Sequence, residues 1–199
     1  MEEIGTEEIG TEEISTEEIS TEEIGTEEVI EELYENEQYF YDEKTLSELT
    51  DFLARWETPC CLCTPLLGQW MSQHSSRNPT ILDMDRRFAC TSGFRYYDLN
   101  RPEWLDQEFD IIVCDPPFFN VSLGQLYHAV RLLSHFRFDQ PLLISYLRRR
   151  SNIVMDTFSQ FGLRPVDYSP GYQTVQSLAL NDIVFYSNLP DDLIAEIGR

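Results

Sequence analysis

Asp115-Pro116-Pro117-Phe118 is the stretch whose residue types and order point most directly to chemistry. It couples an acid to two residues that donate no backbone hydrogen bond, then to an aromatic ring. The prolines fix the direction of the chain and leave carbonyl oxygens free to accept. The product is a small cage of acceptors beside an aromatic face, and such a cage fits an amine nucleophile. Asp115 and the Pro116 carbonyl would hold the amine hydrogens and aim the nitrogen lone pair at an electrophilic methyl, while Phe118 stacks on a base or covers an aminoalkyl chain. A lysine ammonium, with an unperturbed pKa near ~10.4, would also have to lose a proton, which a dry pocket favours. The plain alternative is that the four residues only end a strand.

Positioning such a cage takes a scaffold, and the body reads as alternating strands and helices. Residues 109–114, FDIIVC, are nearly all apolar and β-branched, as a strand covered on both faces must be, and they stop at Asp115. Residues 60–63 form a short apolar run that follows Pro59 and meets a helical stretch beginning at Pro65, where proline suits a first turn. Residues 80–83 and 94–97 are two further strands, followed by Asp83/Asp85 and by Asp98. Residues 141–147, 164–168 and 181–187 complete seven strands, the last two close enough in sequence to be antiparallel. Helices are expected over 38–56, with Asp42 or Thr45 near its start, over 123–136, and over 153–161, ended by Gly162. The pattern predicts a doubly wound α/β sheet, in which ligands bind beyond the carboxyl ends of the strands. Those ends carry Thr64, Asp83/Asp85, Asp98 and Asp115. A carboxylate after a second strand can accept from ribose hydroxyls, and one further along from an exocyclic amino group. Each of these aspartates could equally serve only a turn.

Charge divides the chain in two. Of its 36 acids and 14 bases, 16 acids and no base lie in residues 2–37, leaving 20 acids against 14 bases in the rest. That N-terminal segment repeats EEIGT or EEIST with an apolar residue every fifth position, a period that forms no stripe on a helix and alternates faces on a strand. Residues 1–37 are therefore expected to be a disordered acidic tail, either merely solvating or docking a basic partner, and residues 38–199 a single domain. The acidic balance, with a formal net charge of -22, argues against a protein that grips duplex nucleic acid mainly through phosphates. No run approaches the ~20 apolar residues of a membrane helix, and no leader pattern is present, so a soluble cytoplasmic protein with reduced thiols, acting as a monomer, is expected. Cys60, Cys61 and Cys63 would alternate faces on a strand, with no second ligand pair downstream, so no metal site is expected. Arg148, Arg149 and Arg150 are the one concentrated positive patch, either a grip for phosphates or an acidic surface, or a solvated helix start.

DPPF after an apolar strand resembles the [DN]PP[FYW] motif of S-adenosylmethionine-dependent amino-methyltransferases. More closely, QYFYDEKTLSEL, CLCTPLL, ILDMDRRFA, FRYYDLNRP and FDIIVCDPPFF together resemble the family first labelled N6-adenine-specific methyltransferases, which includes the eukaryotic elongation factor 1-alpha lysine methyltransferases. The resemblance covers most of the body, and it implies a class I, Rossmann-like methyltransferase fold using S-adenosylmethionine. It implies Thr64 and Pro65 at the cofactor's amino-acid end, Asp85 near its ribose, Asp98 near its adenine, and Asp115, Pro116, Pro117 and Phe118 at the methyl-transfer site. Asp85 is preferred to Asp83 because it aligns with the acid of the family's DRRF-like stretch. The body has no GxG after its first strand, only Gly68 nearby. After the motif, Phe119-Asn120-Val121-Ser122 departs from the acidic stretch of the lysine enzymes. The acceptor therefore stays open between a lysine in a basic protein segment and adenine N6 in DNA or RNA. A non-catalytic relative that binds a partner through its acidic tail is the alternative of another class.

Overall fold

The computed structural model describes residues 30–175 and 182–199, so the pentapeptide repeat, with its expected disorder, and residue 181 of the last expected strand lie outside the described residues. Helix α1 (Glu43–Leu53) starts where the Asp42 carboxylate accepts from the Thr45 N–H at 2.8 Å, which satisfies one of the orphan amides of the first turn. It buries Leu46, Leu49, Phe52 and Leu53, the stripe given by their spacing. Strand β1 (Pro59–Leu62) opens on a proline and runs into α2 (Pro65–His74), which has Pro65 in its first turn. Then come β2 (Thr80–Asp83), β3 (Phe94–Tyr96), β4 (Ile111–Cys114), α3 (Leu123–Leu133) and β5 (Leu142–Leu147). The chain closes with α4 (Ser151–Thr157), β6 (Arg164–Pro165), β7 (Ile183–Ser187) and α5 (Asp191–Ile194).

The seven strands form one sheet in the order β3-β2-β1-β4-β5-β7-β6, with β7 antiparallel to both of its neighbours and the others parallel. The doubly wound arrangement expected from the alternation of elements is thus present. Strand order reverses between β1 and β4, and their register places Leu62 beside Cys114, so the residues that follow each diverge from a common edge. Alternate residues of β4 serve opposite faces. Ile112 and Cys114 pack with Leu126, Val130 and Leu133 of α3, whereas Ile111 and Val113 pack with α1 and α2.

Several boundaries differ from expectation. α3 gains a capping box from Ser122 and Gln125 but stops at Leu133, because His135 and Phe136 take positive φ and turn the chain away. The helix expected over 153–161 divides into α4 and a 3-10 turn at Ser159–Phe161, with Gly162 at φ 68° closing it. The strand expected over 164–168 keeps only two paired residues. Gly68 has a packing role, since a Cβ there would overlap the Cγ1 of buried Ile81, so α2 rests directly on β2. Gly68→Val is expected to cost about 1–3 kcal/mol of stability as an overpacked contact, read as a lower urea midpoint at unchanged m-value.

Residues 30–37, grouped with the tail by composition, make specific contacts with the body. Glu32 accepts from the Phe40 N–H at 2.7 Å and from the Thr174 hydroxyl, and Arg87 donates to the Glu31 carbonyl at 2.8 Å. Glu37 accepts from the consecutive amides of Phe119 and Asn120, both at 3.0 Å. Composition alone could not show that these carboxylates meet buried or loop amides far along the chain. Among the described residues, no helix is long and apolar enough to cross a membrane.

Candidate active site

A cavity of about 840 Å³ opens at the carboxyl ends of β1, β2 and β4, at the point where strand order reverses. Asp115 is the first residue beyond β4, and its N–H donates to the Leu62 carbonyl of β1 at 3.3 Å. Its Oδ1 accepts from the Ser145 hydroxyl of β5 and, at 3.1 Å, from the Tyr172 hydroxyl. Burial pushes the Asp115 carboxyl up to about 7, against the pull of those two hydrogen bonds. Burial, with the nearby Asp115 charge, also keeps the Tyr41 and Tyr172 hydroxyls well above the ordinary range, so both remain protonated.

The rest of the tetrapeptide forms a turn. Pro117 accepts from the Val121 N–H at 3.1 Å, whereas among the described residues no group donates to the Pro116 carbonyl. The Phe118 ring stands edge-on to Tyr146 at 5.0 Å, and the next residue, Phe119, is 73% exposed at the cavity rim. All four residues from Asp115 to Phe118 line the cavity together with Thr64, Pro65 and Asp85.

The β1–α2 turn is unusual. Cys63 takes φ 55°, the left-handed region that favours glycine, and its N–H donates to the Leu82 carbonyl at 2.9 Å. The sequence has no GxG after β1, and a cysteine takes the left-handed position of this turn. A hydrogen bond with Cys114 favours the Cys63 thiolate, but burial and the Asp83 and Asp115 carboxylates hold the thiol above its usual value. Thr64 follows, only 5% exposed, and its hydroxyl is buried at the start of α2 with no hydrogen-bond partner among the described residues.

The acids after β2 divide their roles. Asp83 accepts from the Asp85 N–H at 2.7 Å, and burial pushes its carboxyl up to about 6. Asp85 caps the 3-10 turn Arg86–Phe88, where it accepts from the Arg87 guanidinium at 2.6 and 2.9 Å and from Gln38 at 2.9 Å. Burial alone would raise the Asp85 carboxyl, but these hydrogen bonds outweigh it and hold it below the usual range. Asp98 lies apart from the other expected residues. Tyr97 and Leu99 on either side are buried and line the cavity with Asn100, whereas the Asp98 carboxylate accepts from the Asn100 N–H at 2.8 Å and shapes the turn.

Sequence reasoning did not single out Ser145, Tyr172 or Tyr41. Tyr41 is 3% exposed and lines the cavity, and its hydroxyl is buried with no hydrogen-bond partner among the described residues. A polar residue inside the otherwise apolar LLISYL strand was the one signal that could have found Ser145.

Unpartnered hydroxyls at Thr64 and Tyr41 and carboxylates at Asp83 and Asp115 make a cavity suited to a ligand with an amino-acid end, a ribose and a polar reacting centre. Comparison with solved structures places the fold. An S-adenosylmethionine-dependent methyltransferase from Clostridium acetobutylicum ATCC 824 aligns over 73% of this chain and 90% of its own, with TM-score 0.52 and 8% identity. The magnesium protoporphyrin IX methyltransferase ChlM from Synechocystis PCC 6803, with bound SAM, aligns over 73% and 79%, with TM-score 0.50 and 12% identity. The fold is therefore that of the class I methyltransferases. No curated protein matches the sequence. A family model described as probable N6-adenine methyltransferase does match, over residues 32–190, from the Glu32 contact through β7, and the chain belongs to that family.

Proposed function

We propose that the protein transfers a methyl group from S-adenosylmethionine to an amine, and that the amine is a lysine side chain of a protein. The observation that carries this reading is Asp115. One of its oxygens is held by two hydroxyls, and the other has no partner among the described residues, next to an unpaired Pro116 carbonyl. Two acceptors beside each other suit an amine with two hydrogens, and their placement orients the nitrogen lone pair. Bound S-adenosylmethionine would supply a methyl group on a positively charged sulfur. Thr64 and the first turn of α2 suit its amino-acid end, the Asp83/Asp85 pair its ribose, and the turn from Tyr97 to Asn100, shaped by Asp98, its adenine. Phe118 supplies the apolar wall that keeps water from the acceptor.

Lysine is favoured over adenine by charge. Glu35, Glu37, Asp83, Asp85 and Asp115 line the cavity against the guanidinium groups of Arg86 and Arg87, and this excess of carboxylates attracts an ammonium and repels a phosphodiester. The description of the family supports adenine N6 as the second reading. Five free cysteines suit a reducing compartment such as the cytoplasm. The test is to incubate the full chain with radiolabelled S-adenosylmethionine and a cell extract, then divide the sample between protease and nuclease. Label released by protease is the expected result. Label released by nuclease would establish the adenine reading, and absence of both labelling and cofactor binding would leave a binding protein.

The two acids after β2 separate by experiment. Both Asp85 oxygens are engaged by Arg87 and Gln38, so Asp83 is the freer acceptor for ribose hydroxyls. Asp83→Asn should weaken S-adenosylmethionine binding in calorimetry by about tenfold, the worth of a hydrogen bond to a charged group, and Asp85→Asn by less. The reverse order would give the ribose to Asp85.

A further inference from the structure

The Asp115 carboxylate is held from two parts of the chain that are distant in sequence. Ser145 reaches it from the neighbouring strand β5. Tyr172 reaches it from the connection between β6 and β7, and that connection is itself pinned. The Asp42 N–H donates to the Gly171 carbonyl at 3.0 Å, the Gln173 N–H to the Phe40 carbonyl at 2.9 Å, and the Gly171 N–H to the Thr45 hydroxyl at 2.8 Å. Tyr41 and Tyr172 form an antiparallel bridge, with their rings 5.3 Å apart. A Cβ on Gly171 would overlap the Asp42 carboxylate, so a larger residue there would displace the side chain that caps α1. The backbone around Tyr172 is fixed far more firmly than a connecting loop requires, and the side chain it presents ends on a single carboxylate oxygen.

We propose that Ser145 and Tyr172 are positioning residues that act through Asp115: by holding Oδ1 from two elements, they turn Oδ2 toward the acceptor nitrogen. This rests on the reading of Asp115 as the acceptor-holding group. Both hydroxyls donate to the same oxygen, so the carboxylate plane is set by one end and the other end is left for substrate. A carboxylate held at both ends would leave fewer lone pairs for an amine, and one held at neither would rotate. The other titratable groups that face Asp115 are the Tyr41 phenol from the segment before α1, the Cys63 thiol after β1 and the Cys114 thiol on β4. All of these are neutral when protonated, and no cation among the described residues enters the balance at Asp115. Among the described residues, these two hydroxyls are therefore the groups that lower its carboxyl against burial.

The test reads the carboxylate itself as well as the reaction. Full-length chain labelled with 13C at aspartate carboxyls is titrated by NMR, with the Asp115 signal assigned by its loss in Asp115→Asn. In Tyr172→Phe, and separately in Ser145→Ala, the Asp115 transition should move upward by about one pH unit. S-adenosylmethionine affinity should stay within about twofold, and the rate of transfer to extract protein at saturating cofactor should fall about tenfold. A merely structural role would lower stability without moving the Asp115 transition. An unmoved transition in both variants, with wild-type transfer, overturns the proposal. Full transfer by Asp115→Asn would instead remove the reading of Asp115 on which it rests, and the two failures are separable because the titration is measured without an acceptor.

Discussion

Asp115→Asn should lose at least about a hundredfold in methyl transfer while binding S-adenosylmethionine as well as the wild type, and it should unfold at a higher temperature at pH 8. The two effects have one cause. The Asp115 carboxyl is pushed up to about 7 by burial, whereas in an unfolded chain it titrates near ~3.9. As pH rises, the unfolded chain ionises first, so the stability this group contributes is complete below about pH 4 and is lost progressively up to about pH 7. At pH 8 the folded protein holds an ionised carboxylate where a neutral group would be more stable. The amide introduced by Asp115→Asn would remove that cost and still accept from Ser145 and Tyr172, and about 1 kcal/mol, or roughly 2–4 °C, is the expected gain once screening by water in the cavity is allowed for. In transfer it replaces an acceptor with an amide N–H₂ that can face the incoming amine and repel it. Calorimetric unfolding at pH 8 and at pH 4 tests the stability half, because the difference between variant and wild type should shrink toward zero at pH 4. Transfer within tenfold of wild type would sink the catalytic half.

Transfer in the wild type should fall about tenfold for each pH unit below 7, reaching about a hundredfold at pH 5, as Asp115 takes up a proton and ceases to accept from the amine. Asp83, with its carboxyl pushed up to about 6, adds a second loss below that value. It acts on cofactor binding, so it should steepen the decline of kcat/KM for S-adenosylmethionine and leave kcat at saturating cofactor with a single slope. A lysine acceptor that must lose its proton, ordinarily near ~10.4, adds its own slope throughout this range on top of the Asp115 loss, so the Asp115 effect is read as the break in slope near pH 7 in a profile extended to pH 9. Absence of a break between pH 5 and 8 would mean that Asp115 does not need to be ionised. Residual transfer by Asp115→Asn should lack that break.

Much of this site could be read from residue order, and the part that could not has a physical reason. β4 was evident because a strand buried on both faces must be continuously apolar, and Asp115 was evident because it ends that run before two prolines. Asp85 stands out as the acid of ILDMDRRFA and Arg87 lies two residues on, but Gln38 is 47 residues away, so that part of its engagement is visible only in three dimensions. Asp98 was grouped with the others because it ends a strand, yet its buried neighbours turn inward and it does not, a distinction that strand boundaries cannot supply. Tyr172 is 57 residues from Asp115, on irregular chain with no periodicity to read. Tyr41 was quoted within QYFYDEK as part of a helix approach, and only the pairing with Tyr172 shows that its segment bears on the cavity.

The segment from Glu31 to Gln38 bears on how fast the cavity can empty. It is joined to Arg87 and Asp85 on the β2 side, to Phe119 and Asn120 beyond β4, and to Thr174 near Tyr172, and Leu33, Glu35, Glu37 and Gln38 all face the space within. Its links to these three sides are mostly polar and partly exposed, the kind that open locally long before the sheet does. Contents held beneath such a clasp have a residence time set by how often it loosens. Where departure of the spent cofactor limits turnover, it is these links that set the rate.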